Sequence, residues 1–346
     1  MAIVSIILPM YNAERWLDEC LQSVYDQQFE GHLELSVYND SSNDGSLEIL
    51  SKWLKKLTEK GVKCLMSTNE GGSPKGVGFA KNCAVEQSTG DFLCFMDADD
   101  ILLPDRINAQ YQVAVTLPHN TLIGSCFERI PPGSTERYTK WANNLSSDQL
   151  YTQIYLSHGP SIIMPTWFCH RNVFDTVGGF SEKGKGTPED LIFFFEHLAK
   201  GGKLHKVEEN LLIYRYHPDA ATASVHEDTI WGLRMRALQE NVLSNWDSFT
   251  IWNAGKQGRK FFRSLTLANQ KKVKCFCDVD GKKIDKKFYI YEESQEMPRP
   301  KIPIIHFKDA VPPLIICVKQ DLTGGAFEEN LRSLGIEEGK DYFHFN

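Results

Sequence analysis

Short apolar runs alternate with amphipathic stretches through the first hundred residues. Ile3–Leu8 is a mostly apolar run ended by Pro9, and Asn12 then stands as a cap before a face of Trp16, Leu17, Cys20, Leu21 and Val24 at helical spacing. Leu33–Tyr38 reads as a second strand. The turn formers Asn39-Asp40-Ser41-Ser42-Asn43-Asp44-Gly45 follow it, then a helix bearing Leu50, Trp53, Leu54 and Leu57. Val62–Met66 is a third strand, followed by a glycine-rich loop from Asn69 to Gly78, a helix through Val85 and a strand over Phe92–Met96. Alternation of this kind predicts an α/β fold with a doubly wound parallel sheet. The Asp40 loop, the Asn69 loop and the acids after Met96 then share the rim formed by strand C-termini, where open α/β sheets bind ligands.

Beyond residue 120 the pattern is mixed, with strands near Thr121–Phe127, Thr166–His170 and Asn210–Tyr216. Thr187 fits a helix N-cap, Pro188 the first helical position, and Leu191, Phe194, Phe195 and Leu198 an apolar stripe. After a helix over Glu227–Asn245, a new β–α pattern starts at Phe249–Trp252, with Gly255 and Gly258 entering a helix and strands at Val273–Cys277 and Leu314–Val318. This places a catalytic domain in residues 1–247 and a smaller, basic, Rossmann-like α/β domain in residues 248–346.

Composition is that of a globular protein, 42% hydrophobic and 24% charged over 346 residues. No stretch approaches the ~20 apolar residues needed to span a bilayer. Strand-like sequence from Ile3 leaves no room for a signal peptide. The nine cysteines are odd in number and scattered, which fits reduced thiols and a cytoplasmic location. Net charge is −7, yet residues 250–346 hold 17 Lys and Arg against 13 Asp and Glu, and residues 256–287 hold 11 against three. Such a segment suits an acidic macromolecular partner or forms a solvated lysine-rich surface.

The chemistry concentrates in Met96-Asp97-Ala98-Asp99-Asp100, at the end of an apolar strand. Asp-x-Asp spacing puts Asp97 and Asp99 on one side of an extended backbone. Two hard oxygen donors facing one way suit Mg²⁺ or Mn²⁺ carrying a diphosphate. The competing reading is an acidic loop capping a helix near Pro104–Val115. Glu189 and Asp190, in the first turn of a helix, are favoured as carboxylates by the macrodipole, and serve there either as helix-end charges or as reacting groups.

Taken in order, these segments resemble the family 2 glycosyltransferases with the GT-A fold. The resemblance rests on Ser5–Asn12, Asn39–Ser46, Phe79-Ala80-Lys81-Asn82, Met96–Asp100, Val177-Gly178-Gly179-Phe180, Pro188-Glu189-Asp190 and Tyr214-Arg215-Tyr216-His217. It implies an inverting transferase with a UDP-sugar donor. Groups at Pro9, Tyr11, Asn12 and Asp40 would hold uracil and ribose, and Asp97 and Ala98 would line the donor. Asp97 and Asp99 would bind Mn²⁺ or Mg²⁺, with His217 approaching the metal or diphosphate. Asp190, paired with Glu189, would be the general base. Two departures stand out: Asn39 replaces the family's usual Asp, and Lys81 replaces an Arg, keeping a charge for a phosphate or carboxylate without the bidentate fork.

With its basic second module the whole chain is similar to the queuosine-tRNA galactosyltransferases. That likeness implies UDP-galactose as donor and queuosine in a cytosolic tRNA anticodon as acceptor, with no membrane. Alternatives are a UDP-GlcNAc-dependent β-1,3-N-acetylglucosaminyltransferase acting on a glycan, and a catalytically inactive RNA-binding protein. A nucleotidyltransferase would need a glycine-rich basic loop after the first strand, and Pro9-Met10-Tyr11-Asn12 is not one. Trp252–Arg259 carries a partial dinucleotide fingerprint with Asp278 or Asp280 downstream, but Phe261 stands where its third glycine belongs.

Overall fold

Strand β1 (Val4–Met10) is buried at all positions, as a central strand of a sheet covered on both faces must be. It belongs to a computed structural model that describes residues 4–218, 220 and 224–346, so Ile3, where the first strand was expected to begin, lies outside the described residues. The remaining strands of this sheet are β2 (Leu33–Asn39), β3 (Lys63–Thr68), β4 (Phe92–Phe95), β5 (Ile101–Leu102), β6 (Thr121–Ile130), β7 (Phe168–His170) and β8 (Lys203–Arg215). Their order is β3-β2-β1-β4-β7-β6-β8-β5. β1 to β4 run parallel, β7 is antiparallel to β4 and β6, β6 and β8 are parallel, and β5 is antiparallel to β8. The C-terminal ends of β1, β2, β3, β4, β6 and β8 therefore lie on one rim.

Helices α1 (Leu17–Tyr25), α2 (Ser46–Glu59) and α3 (Val77–Gln87) connect the first four strands, and α4 (Arg106–Ala114) and α5 (Glu136–Asn144) follow. Several boundaries differ from the sequence reading for identifiable reasons. Asn12 does not cap α1, whose N-cap is Trp16; Asn12 has φ of 48° and accepts the amide of Asn43 at 2.9 Å, pinning the loop after β2. The strand expected at Asn210–Tyr216 is the last part of thirteen-residue β8. Its first half carries Lys203, His205, Lys206, Glu208 and Glu209, and charged side chains on an edge-facing surface hide a strand from a hydrophobic scan. The helix after Pro188 spans Glu189–Ala199, with Pro188 at the N-cap rather than Thr187, and buries Phe193 where Phe195 was expected.

The chain forms two compact units, one of Met1–Leu150 with Pro160–His226, the other of Tyr151–Gly159 with Glu227–Asn346. The border thus falls at 226 instead of 247. Helix Glu227–Asn241 packs within the second unit, where Trp231 meets Phe345 edge-on at 4.9 Å and Arg234 donates to the Asn346 carbonyl at 2.7 Å. A helix's sequence shows its apolar face but not which sheet receives it.

The second unit holds β9 (Phe249–Trp252), β10 (Val273–Asp278), β11 (Phe288–Ile290), β12 (Lys301–His306), β13 (Leu314–Ile316) and β14 (Tyr342–His344), ordered β11-β12-β10-β9-β13-β14. All pair parallel except β11, giving a Rossmann-like sheet. At the turn after β9, a Cβ on Gly258 would lie 1.8 Å from the Asn253 carbonyl oxygen, so only glycine fits there. Phe261 is fully buried, and Asp278 spends its oxygens on the amides of Ala254, Val279 and Asp280 and on Lys283. That use leaves the carboxylate committed to the turn rather than to a ribose.

Candidate active site

β4 delivers the acids. Its last carbonyl, Phe95 O, accepts from the buried Arg106 guanidinium at 2.8 Å, and the Met96 amide donates to Ile7 O of β1 at 3.2 Å. The chain then turns, with the Asp100 amide donating to Asp97 O at 3.2 Å. As a result Asp97, Asp99 and Asp100 each offer an oxygen within 4.8 Å of the others. Asp97 and Asp99 are half-buried and Asp100 is fully buried. His217, just past β8, places Nε2 2.8 Å from Asp99 Oδ2, and the Arg215 amide donates to Asp100 Oδ1 at 2.9 Å. Asp100 Oδ2 and His217 Nδ1 are buried without partners among the described residues.

Three carboxylates this close repel one another unless a cation or proton intervenes. Burial, with Asp99, Glu189 and Asp190 adding to it and Lys81 opposing, pushes Asp97 up to about 7. Burial, then Asp99 and Asp97, raise Asp100 well above the carboxylate range. Oxygen-only donors, an orphaned buried Asp100 oxygen and a proton-hungry cluster fit a hard divalent cation. The capping alternative finds no support: α4 has Asp105 at its N-cap with no side-chain cap bond, and the cluster's acids bond to Arg215 at the end of β8 and His217 just past it.

The second group of residues comes from α3 and the helix Glu189–Ala199. Lys81, 1% exposed, forms an ion pair with Glu189 Oε1 at 2.8 Å. Burial works against its charge, but Glu189, Asp97 and Asp190 hold its pKa above that of a free lysine. Neighbouring Asn82 grips the turn at Gly178–Phe180 through Phe180 N and Phe180 O, at 2.8 and 2.9 Å. Gly78 permits the close approach, since a Cβ there would meet Ser181 O at 2.2 Å. The two short motifs around Lys81 and Gly179 are thus halves of one contact that seats the helix carrying Glu189 and Asp190. Asp190 is half-buried and accepts the Leu191 amide at 2.7 Å. Burial first and Glu189 second push it up to about 6 against Lys81. Burial and the crowded acids thus outweigh the macrodipole's preference for the carboxylate, yet at about 6 the group is still ionised at neutral pH, as expected from the sequence.

Residues expected on the nucleotide side lie around β1 and β2. Pro9 sits opposite Tyr38 in register, Tyr11 is 48% exposed, and Ala98 is buried behind the acids. Asp40 is buried, with its oxygens accepting from Lys75 N, Gly76 N and Asn69 Nδ2 at 2.7–3.0 Å. In this arrangement the carboxylate braces the Asn69 loop. Of the two partners open to Lys81, a phosphate or a carboxylate, it holds the carboxylate of Glu189. Sequence reasoning left Asp100 outside the ligand set and overlooked Arg129, Tyr138, Tyr214, Arg215 and Trp16. Trp16 lies between the guanidinium carbons of Arg15 and Arg215, 4.1 and 4.4 Å from its ring, and 5.4 Å from His217. The signal was present in Tyr214-Arg215-Tyr216-His217, of which only the histidine was taken.

Residues 5–178, from the first strand through the acids to the Gly178 turn, match glycosyl transferase family 2. The chain belongs to this family. An uncharacterized glycosyltransferase of Haemophilus influenzae is 34% identical over 111 residues, which is 32% of this chain and 41% of that protein. The Staphylococcus aureus poly(ribitol-phosphate) beta-N-acetylglucosaminyltransferase TarS is 36% identical over 99 residues, 28% of this chain and 16% of TarS. A crystal structure of a TarS fragment in complex with UDP-GlcNAc superposes with a TM-score of 0.53 at 18% identity, covering 77% of this chain and 71% of the fragment. The mannosyltransferase PcManGT of Pyrobaculum calidifontis, in complex with GDP-Man and Mn²⁺, gives 0.52 at 18% identity over 70% of this chain and 64% of that one. The first unit therefore has the GT-A glycosyltransferase fold, and the family works on nucleotide-sugar donors. Among the described residues no helix is long and apolar enough to cross a membrane.

Proposed function

We propose that this family 2 transferase moves galactose from UDP-galactose to a hydroxyl of queuosine in a tRNA anticodon, in the cytoplasm, with inversion at the anomeric carbon. The observation that carries the transferase chemistry is the joining of two carboxylate groups by one lysine: Lys81 ion-pairs Glu189 and stabilises Asp97 and Asp190 as anions. Asp97, Asp99 and Asp100 would hold Mn²⁺ or Mg²⁺, whose chemistry is Lewis-acid neutralisation of charge developing on the diphosphate. His217 orients Asp99, and the Arg215 amide orients Asp100. Asp190 takes the proton from the acceptor hydroxyl as its oxygen bonds to the anomeric carbon and the bond to UDP breaks. Glu189, neutralised by Lys81, positions Asp190 and is not itself the base.

The acceptor reading draws on the second unit. The side-chain ammonium groups of Lys274, Lys282, Lys286 and Lys287 have no hydrogen-bond or ion-pair partner among the described residues and these lysines are exposed, whereas Lys271, Lys272 and Lys283 are engaged by Glu296, Leu243 O and Asp278. Unpaired lysines on one segment suit a polyanion. A second reading, UDP-GlcNAc transfer to a glycan, draws on the donor bound in the TarS structure. Screening UDP-galactose and UDP-GlcNAc with Mn²⁺ against both queuosine-containing tRNA and a glycan acceptor separates them. Galactose incorporated into tRNA supports the proposal; transfer of GlcNAc to a glycan and none to tRNA refutes it.

A further inference from the structure

The cluster around Arg129 is not used by any step above. Arg129 pairs in register with Tyr214 across β6 and β8. Its guanidinium carbon lies 3.7 Å over the Tyr214 ring, with Tyr138, Phe127 and Tyr216 at 5.6, 5.7 and 5.9 Å. Three other arginines of the same unit are spent. Arg106 bonds to Phe95 O and Gln110, Arg171 to Gly90 O and Ser88, and Arg215 to Asp99 O and Glu19. The Arg129 guanidinium has no hydrogen bond or ion pair among the described residues, although its charge reaches Asp100, and its Nε is buried. A guanidinium stacked on an aromatic face keeps its in-plane donors available, and a dry aromatic wall strengthens whatever they bind.

Its place in the sheet shows which ligand it meets. In the order β3-β2-β1-β4-β7-β6-β8-β5, the loops expected to hold the nucleotide follow β1 and β2, and the acids follow β4. Arg129 lies beyond them, near the end of β6. Tyr138 is within electrostatic reach of both Arg129 and Asp190, and Tyr214 of Asp97 and Asp100. The Tyr216 amide closes the strand pair on Ile130 O at 2.8 Å, leaving its ring 53% exposed beside Arg129. A cation with unbonded donors, walled by tyrosines on the base side of the acids, matches a phosphate flanked by rings.

We infer that Arg129 is the anchor for a backbone phosphodiester of an RNA acceptor, held between the Tyr214 and Tyr216 rings next to the reacting hydroxyl. Two parallel N–H donors take the phosphate oxygens in fork geometry, and Tyr216 offers a stacking face to the adjoining base. This rests on the proposed tRNA acceptor. It assigns to the acceptor a contact made inside the catalytic unit, distinct from the lysines of the second unit.

The test uses the full chain, UDP with Mn²⁺ in calorimetry, and a queuosine-bearing anticodon stem-loop in fluorescence anisotropy. Arg129→Met should weaken stem-loop binding about tenfold or more, with Arg129→Lys recovering part of it because charge returns without the fork, and UDP affinity should stay within about twofold. Neutral methylphosphonate linkages placed in turn through the loop should weaken the wild type at one position and add nothing further in Arg129→Met. Unchanged stem-loop affinity overturns the inference and leaves Arg129 as a counter-charge to Asp100. Loss of UDP affinity in place of RNA affinity overturns it in favour of a donor-diphosphate contact. If Arg129→Met does not fold, the methylphosphonate scan on the wild type decides alone, and a flat scan refutes the anchor. Arg129-dependent binding of an RNA that the wild type does not glycosylate upholds the anchor and refutes the proposed acceptor.

Discussion

Lys81 Nζ and Glu189 Oε1 meet at 2.8 Å across 108 positions of sequence, with the lysine almost wholly removed from solvent. This pair locks α3 to the helix Glu189–Ala199 and, among the described residues, supplies the ammonium that faces Glu189, Asp97 and Asp190. Removing one partner of such a pair strands a buried charge and costs about 3–5 kcal/mol. Lys81→Met should therefore lower thermal stability strongly and abolish transfer, whereas Lys81→Met with Glu189→Gln should regain much of the stability and little activity. Melting curves on the three proteins check this. Additive losses in the double variant would show that the two side chains do not act as a pair.

Asp97→Asn and Asp99→Asn should fold and lose metal-dependent UDP binding together with transfer. An amide is a weaker, neutral ligand, and each substitution relieves repulsion within the acid cluster. Because Asp97 is pushed up to about 7 before metal binds, protons compete for the site, and Mn²⁺-dependent UDP affinity should weaken as pH falls below that value. Calorimetry at several pH values reads both effects; metal dependence equal to that of the wild type would remove these residues from the ligand set.

Asp190→Asn should keep UDP-sugar binding and lose about 10²–10⁴-fold in turnover, the usual contribution of a positioned base. The proposed base would act as a carboxylate, and burial with Glu189 raises its pKa to about 6, so its ionised fraction, and kcat with it, should fall as pH drops through 6. The sign for stability is opposite. A raised carboxyl favours the folded state when protonated and disfavours it when ionised, so Asp190→Asn should melt no lower than the wild type at pH 7.5. A fall in melting temperature with retained turnover would make Asp190 a helix-end charge only.

On the second unit, Lys274, Lys282, Lys286 and Lys287 are the lysines to reverse, since their paired neighbours already have partners. Their joint change to Glu should raise KM for tRNA and flatten its salt dependence, each lost phosphate contact removing about 0.9 from the logarithmic slope. UDP binding should be unaltered. Unchanged tRNA affinity at low salt would return these lysines to a solvated surface.

His344 gives an acid-stability test away from the site. It is buried on β14, its Nδ1 has no partner among the described residues, and burial lowers its pKa to about 4. Between the unfolded value near 6.5 and 4 the unfolded chain takes up a proton that the folded chain refuses, so stability falls with pH across that window, by about 3 kcal/mol in all. His344→Leu should flatten the loss, measured as urea midpoints from pH 7 to 4.

The sequence alone specified the βαβ alternation, the rim of strand ends, the acids after Met96 and the Glu189-Asp190 step at a helix start. Each of these is local: a strand's apolar run, a turn's composition or a carboxylate spacing depends on residues a few positions apart. Tertiary structure decided where charges end up. Asp40 and Lys81 look alike from the sequence as donor contacts, yet one braces a loop and the other holds Glu189, because their partners come from distant segments. The turn after Met96 groups Asp100 with Asp97 and Asp99, but only the return of β8 places Arg215 and His217 beside them. Likewise Arg129 and Tyr214 become a stacked pair through a β6–β8 register that includes two irregular steps, which no pattern in either strand encodes. Helix Glu227–Asn241 joined the second unit for a similar reason. Its apolar side was legible, but the surface that covers it is chosen by the packing of the whole chain.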